Sequence, residues 1–593
     1  MGSEDRLAET AVSVLVDVPA LSHPLDYLPP VGSDAVISPG TMVRVPLHGR
    51  SVNGWVLGPG TGTSAALQHI KKIKGFGPPP SVLELSEFAS WRFAGARAKF
   101  LRAASPERNT QSLVSAPTLM ATATFDNALL LPLQHSQESQ VVVVGATEDP
   151  FSLICEVINE VVVSGRQGAI LVATPTVAYS ERLAARLQRA GVAAIGPGPD
   201  QWVKARSGWP VIVGPRSVAL APAPSVAAVV VLDAHEAALQ EEQSPTWSAV
   251  TLLEQRAQQA GVPCWLITPV PTPALRVGRS VATAASSRGS QAWPKVEVVD
   301  LTVTDKRHRL LTEPFIDAAR AALAASDDPG TVVCLFHRTG RAKLLACRTC
   351  QQLVVCVSCR SSMEDLGGEL VCTTCGDRRP LLCTGCGSMA LNIVRPGVSR
   401  LAEELRALFQ TNVDEVTAAT SALPITARVV IGTEAVLHRV RKSTLVAVLD
   451  LDQYLLAPRM RSEEATMEML VRCSRLVGAR DQGRGTLLLQ TRQVDHEVVD
   501  ALRKGEVDGL MGALNERRQR LLQPPYTAYA RLKGIDAWSY GEVVAAVSGL
   551  TFVELAEERG LLIGGTTEAL CDALTATPKE RRKVTISVDP EDL

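Results

Sequence analysis

Four Cys-x2-Cys pairs crowded between Cys347 and Cys386 constrain this chain more than any other feature: Cys347/Cys350, Cys356/Cys359, Cys372/Cys375 and Cys383/Cys386. Such a pair wraps a tight knuckle around one metal, and two knuckles complete a tetrahedral thiolate set, so this pattern predicts two Zn2+ per chain. Four-thiolate sites leave no open position for water, and both metals are expected to be structural. Gly376 and Gly387 follow two of the pairs, where a knuckle needs backbone freedom. Twelve residues separate Cys359 from Cys372, room for two short strands, whereas five separate Cys350 from Cys356, which is tight for a closed site. The spacing favours nesting, with Cys347, Cys350, Cys383 and Cys386 on one zinc and Cys356, Cys359, Cys372 and Cys375 on the other. Consecutive pairing is the alternative. An iron–sulfur cluster suits four regular x2 pairs less well.

The other five of the thirteen cysteines are scattered, and clustering of this kind in a reducing compartment means metal ligation rather than disulfides. The polar start, Met1–Thr10, lacks a signal-peptide core, and the longest apolar runs, such as Val141–Val144 and Ala227–Leu232, are too short to span a bilayer. A cytoplasmic protein with no membrane partner is expected. Lys and Arg number 60 against 61 acidic residues, so nucleic-acid binding must come from local patches.

Along the chain, Val12–Val18, Thr41–Pro46 and Val52–Leu57 read as strands of a small β-rich domain, with a basic helix over Trp91–Ala104. From Val141, apolar runs alternate with helical segments such as Phe151–Ser164 and Tyr179–Ala190, which implies a parallel sheet covered on both faces. A second alternating unit follows an Ala/Ser/Gly-rich stretch, and the cysteines interrupt it. The expected organisation is a β-rich domain over residues 1–110, a linker over 111–139, an α/β lobe over 140–280 and a linker over 281–295. A second lobe over 296–495 then carries the zinc insertion at 346–388, and an α+β domain covers 496–593. The fold class is multidomain α/β, with two parallel-sheet lobes and an inserted two-zinc ribbon.

Several short motifs accompany the cysteines in a telling order: Leu25-Asp26-Tyr27-Leu28, Val43-Arg44-Val45-Pro46, Ile431-Gly432-Thr433, Val446–Asp452, Leu488-Leu489-Gln490-Thr491, Gln523-Pro524-Pro525-Tyr526 and Val588-Asp589-Pro590. In this order the chain resembles the bacterial primosomal replication-restart family PriA over most of its length. That resemblance implies two RecA-like, helicase-type lobes, DNA partners in the form of branched forks and 3′ ends, and protein partners from primosome or helicase-loading assemblies. Single-stranded DNA-binding protein is a further partner it suggests.

The chain departs from that family where nucleotide chemistry should sit, as in a degenerate, actinobacteria-like form. Active members carry G-x-T-G-S-G-K-T after the first strand of the lobe; here the place reads Gly145-Ala146-Thr147-Glu148-Asp149-Pro150-Phe151-Ser152. A phosphate loop needs a nest of backbone N–H groups and a lysine for the β- and γ-phosphates. Phe151 takes the place of that lysine, Pro150 removes a donor, and Glu148 and Asp149 add like charge, which costs on the order of a few kcal/mol in a partly desolvated site. The family's D-E-E-H reads Asp233-Ala234-His235-Glu236, and its Q-V-A-G-R-A-G-R reads Cys473–Arg480, with Val477 at the first arginine and Arg480 at the second. ATP is not expected to bind, and Gly145, Thr147, Phe151, Ser152, Asp233 and Arg480 mark a degenerate nucleotide site with no catalytic residue. An active helicase with a non-standard nucleotide site is the competing expectation, and a zinc-ribbon docking protein is a third.

The resemblance also places a 3′-end pocket at Asp26, the Gly49 turn and Lys71, with Leu25 where the family has phenylalanine. Further basic candidates are Lys72 and Lys74, the residues Arg92, Arg97, Lys99 and Arg102, and the groups Arg338/Arg341/Lys343, Arg439/Arg441/Lys442 and Arg517/Arg518/Arg520.

Overall fold

Runs of β-branched residues separated by amphipathic segments become, in the computed structural model, two parallel sheets with helices on both faces. The structure describes residues 11–21, 23–32, 37–61, 67–122, 139–284, 292–303, 310–324, 331–336, 345–350, 352–372, 375–393, 398–417, 424–480, 485–555, 558–579 and 582–590, with 392 and 393 by backbone only.

The first lobe holds a seven-stranded sheet in the order Ser280–Thr283, Ser139–Val143, Cys264–Thr268, Val226–Leu232, Ala169–Ala173, Val211–Gly214, Ala194–Ile195. Every pairing in it is parallel. Val141, Leu171, Val229 and Val231 enter one apolar core, while Val142, Val172, Val230 and Leu232 enter the core on the opposite face. That is the period of two of a strand buried on both sides. The second lobe repeats the plan with six parallel strands: Lys295–Asp300, Thr486–Thr491, Leu445–Val448, Val332–Leu335, Val429–Gly432 and Val413–Val416. The cysteine module leaves this lobe after Val332–Leu335 and returns ahead of the Val398–Phe409 helix.

At the N-terminus, six strands form a mostly antiparallel sheet ordered Gln68–His69, Leu25–Leu28, Val12–Val16, Arg50–Pro59, Met42–Leu47, Lys72–Gly75. The short segment between its two outer strands curls the sheet toward closure: Ile70 N donates to Leu28 O at 2.8 Å and Lys71 N to Arg44 O at 2.9 Å. The C-terminal unit is a four-stranded antiparallel sheet, Thr551–Leu555, Arg559–Gly564, Ala528–Lys533 and Thr585–Val588. The helices Ala537–Ser548 and Thr567–Ala576 share a core with it around Tyr540, Leu562 and Leu570.

Three sequence expectations need correction. The basic helix at Trp91–Ala104 is two helices, Pro80–Arg92 and Arg97–Ala103, broken where Ala94 takes a positive φ of 47°. The stretch at 281–295 is not linker from its start, because Ser280–Thr283 is an edge strand paired parallel to Ser139–Val143. The break placed at 496 falls inside a packed unit: Val498, Val499 and Leu502 of Glu497–Lys504, with Met511 and Leu514 of Val507–Arg520, belong to the second lobe's core.

Candidate functional site

The cysteine module supplies the clearest geometry. Cys347, Cys350, Cys383 and Cys386 converge, as do Cys356, Cys359, Cys372 and Cys375, each set with its sulfurs within 4.8 Å of one another. The nested arrangement is therefore the observed one. Sγ–Sγ separations of 3.5 Å for Cys347–Cys386 and Cys350–Cys383, 3.5 Å for Cys356–Cys375 and 3.4 Å for Cys359–Cys372 lie close to the roughly 3.8 Å edge of a tetrahedron with Zn–S bonds near 2.3 Å. The donor set and spacing fit zinc.

Three of the knuckles share one backbone device. The residue after the second cysteine turns left-handed and donates its N–H to the carbonyl of the first cysteine: Gly376 (φ 75°) to Cys372 O at 3.0 Å and Gly387 (φ 71°) to Cys383 O at 2.8 Å. Arg360, φ 62°, does the same to Cys356 O at 3.0 Å without a glycine's freedom. Between the two inner knuckles, the hairpin Met363–Leu366/Glu369–Cys372 buries Met363 and Leu370 against Cys356 and Cys372. Arg379 is committed to the module itself, donating to Leu382 O at 2.8 Å and Val355 O at 3.3 Å.

The cleft between the lobes is filled by the chain's own groups. Gly145 N donates to Glu148 Oε2 at 2.7 Å, Glu148 N to Gly145 O at 3.2 Å, and Phe151 N to Asp149 Oδ1 at 3.1 Å. Thr147 donates through its hydroxyl to Ala292 O at 2.9 Å, and a Cβ on Gly145 would collide with Ala292. Phe151 is buried, stacked under the Arg186 guanidinium, which also pairs with Asp149. Ser152 follows in the first turn of the Phe151–Val163 helix.

Asp233, left-handed at φ 52° after its strand, takes both arms of Arg475, one at 2.9 Å from Nη1 to Oδ2. The Arg475 Nε donates to Ala146 O at 3.0 Å. Glu236 accepts a second fork from Arg472, at 2.9 and 2.6 Å, and Arg472 also reaches Glu434 at 3.2 Å. Burial alone would raise the Glu236 carboxyl, but the Arg472 bonds and nearby positive charge hold it at about 2. His235 lies fully buried with Nδ1 2.9 Å from Thr268 Oγ1, and burial pushes it down to about 4. His235 Nε2 lies 3.8 Å from Glu236 Oε1, but among the described residues Asp233, His235 and Glu236 form no metal-like centre. The Arg480 side chain is exposed, and its N–H donates to Trp293 O at 2.9 Å. Sequence reasoning passed over Arg472 and Arg475, although their i, i+3 spacing on one helical stripe was the available signal.

On the N-terminal domain, Asp26 Oδ2 accepts both the N–H and the hydroxyl of Thr61 at 2.8 Å. The His48–Gly49 hairpin has positive φ at both central residues, 45° and 77°, the geometry of a tight two-residue turn. Tyr27 OH donates to Pro46 O at 3.0 Å, tying the Asp26 strand to this hairpin's strand. Lys71 is exposed at the closure of the sheet. Among the described residues, no hydrogen bond or ion pair joins Asp26, Gly49 and Lys71 to one another.

Seven of the other basic candidates are spent internally. Arg92 pairs with Asp589, Arg102 with Asp17 at 2.6 Å, Arg97 donates to Leu83 O at 2.9 Å, and Lys99 to Ser244 O at 2.8 Å. Arg517 pairs with Glu497 at 2.9 Å, and buried Arg518 donates to Pro524 O at 2.9 Å. Lys74 reaches Asn53 Oδ1 at 3.3 Å. Arg441, Lys442, Arg520 and Lys72 are exposed, whereas Arg338, Arg341 and Lys343 lie outside the described residues.

Residues 13–106 match the family model described as the 3′DNA-binding domain (3′BD) of PriA. Over 95% of this chain and 93% of its own length, the replication restart protein PriA of Rickettsia felis is 23% identical. The chain is thus similar to PriA replication restart proteins over nearly its whole length. The probable replication restart protein PriA of Mycobacterium tuberculosis is 27% identical over 67% of this chain and 66% of its own. That of Bacillus subtilis is 23% identical over 55% and 44%. Among solved structures, yeast Dbp5 bound to RNA and ADP–BeF3 aligns with 65% of this chain and 91% of its own at TM-score 0.34 and 10% identity, too loose a match to carry an argument. A region similar to that 3′DNA-binding domain therefore precedes the two parallel-sheet lobes. Among the described residues, no helix is long and apolar enough to cross a membrane.

Proposed function

We propose that this chain is a replication-restart factor that recognises branched DNA and 3′ ends and recruits replisome-loading proteins without hydrolysing ATP. One observation carries the reading: the Glu148 carboxylate accepts the Gly145 N–H at 2.7 Å, so an anion of the chain's own occupies a donor that a phosphate would need. A bound triphosphate would have to displace that carboxylate and meet its charge, and like charges at such range cost several kcal/mol in a partly dry cleft. Phe151 supplies no compensating cation.

DNA recognition would then fall to the N-terminal domain. The Thr61 bonds orient the Asp26 carboxylate, which can accept a hydrogen bond from a terminal 3′-OH that an internal nucleotide lacks. Exposed Lys71 and the open Gly49 turn suit the neighbouring phosphate. The test pairs fork-binding anisotropy with a fork-stimulated ATPase assay on the full chain. Expected are salt-sensitive binding to a fork with a free 3′-OH, weakened about tenfold or more by Asp26→Ala, and no ATP turnover. Turnover abolished by Asp233→Ala would restore the active-helicase reading, and binding indifferent to Asp26 and salt would leave the docking-protein reading.

A further inference from the structure

The Ser462–Val477 helix of the second lobe points two arginines, one helical turn apart, across the cleft at the first lobe. Arg475 forks onto Asp233 and ties Ala146 O, and Arg472 forks onto Glu236. Asp233 and Glu236 are both buried, and the Arg472 and Arg475 side chains are 16% and 33% exposed. Water therefore competes weakly for these bonds, and salt screens them less than it would a surface pair. The segment between the lobes adds a third tie, since Ala292 O accepts from Thr147 of the first lobe while Trp293 O accepts from Arg480 N of the second. Trp293 itself is buried in the second lobe's core beside Ala292 and Ala146.

We infer that Arg472 and Arg475 form a latch that holds the two lobes closed in the absence of any nucleotide. In an ATP-driven lobe pair the ligand bridges the cleft and its loss lets the lobes part. Here the bridging charges are covalent parts of the chain, so closure is the resting state. Both arginines are positioning residues: they touch no substrate and set the relation of the lobes that carry the rest of the molecule. The inference goes beyond the proposed function, because it concerns lobe geometry whether or not nucleotide is ever bound.

The test measures a distance. Spin labels attached through non-cysteine chemistry at exposed Glu181 (helix Val177–Arg189) and exposed Glu403 (helix Val398–Phe409) report on the two lobes in the full chain. A single narrow distance distribution is expected for the nucleotide-free protein. Arg472→Ala and Arg475→Ala should each broaden it, with the parted population rising about tenfold per fork removed, and the exchange Asp233→Arg with Arg475→Asp should narrow it again. Should Arg475→Ala fail to fold, Arg475→Lys keeps the charge, loses the two parallel bonds and should broaden the distribution to a smaller degree. A broad distribution in the unaltered chain, or a narrow one that survives removal of both arginines, overturns the latch. A shift on adding Mg2+–ATP to the unaltered protein counts against the proposed function, whereas the nucleotide-free distribution alone decides the latch.

Discussion

At the residue scale, charges whose partners lie far along the chain decide most of what the structure adds. Arg92 looks like a DNA-facing cation until Asp589 closes on it, and Arg102 until Asp17 does; neither pairing leaves a local trace in the sequence. Glu468 shows the opposite case, a charge short of partners. It is buried on the Ser462–Val477 helix, its Oε1 accepts no hydrogen bond, and Arg461 comes only to 3.7 Å, so burial raises its carboxyl to about 8. A raised carboxyl is protonated when folded and ionised when unfolded near neutrality. Its contribution is thus full below the unfolded value near 4.3 and is lost as pH rises through about 8. Glu468→Gln has no proton to lose, and should raise thermal stability at pH 8 by up to a few kcal/mol, with the gain shrinking toward pH 5. Melting curves across that range check it, and a gain that grows on acidification contradicts it.

At the scale of elements, the regular parts were readable and the edges were not. Val229–Val231 and Val141–Val143 announce buried parallel strands by composition alone, and the Cys359–Cys372 interval announced a hairpin that is present as Met363–Leu366/Glu369–Cys372. Ser280–Thr283 escaped because an edge strand packs one neighbour and needs little apolar surface, so its Ala- and Ser-rich continuation reads as spacer. The knuckles allow two expectations. Cys372→Ser should lower metal content from two zincs to about one, leaving the outer set of Cys347, Cys350, Cys383 and Cys386 loaded, as read by elemental analysis of the purified chain. Arg360→Gly removes a left-handed non-glycine residue at a cost relief on the order of 1 kcal/mol. Zinc release to a chelator from the inner site should therefore slow, and faster release would show that the Arg360 side chain supports the knuckle.

At the scale of the whole molecule, the helix pair Pro80–Arg92 and Arg97–Ala103 acts as a keystone. Leu83, Ala98 and Leu101 pack on the N-terminal sheet through Leu15 and Trp55; Leu85, Ala89 and Phe93 enter the first lobe's core; Trp91 and Ala94 lie on the C-terminal core. Trp91 also donates to Asp572 at 2.8 Å. Trp91→Ala should loosen the C-terminal sheet from the body, seen as faster deuterium uptake across Ala528–Lys533 and Thr585–Val588 with the lobes unaffected; uptake unchanged there would mean that Arg92–Asp589 and the remaining contacts suffice. None of this three-way packing was visible beforehand, because a helix stripe shows that it is apolar without naming its neighbour.

The Glu148 carboxylate seated on Gly145 has one more consequence on the proposed reading. Machines that read the cell's energy currency fall silent when adenylate runs short. A chain whose cleft is already occupied from within has no such gauge, and its residence on DNA would follow only its own abundance and the ionic strength around it. Such a factor would stand at a broken fork as readily in a starving cell as in a growing one.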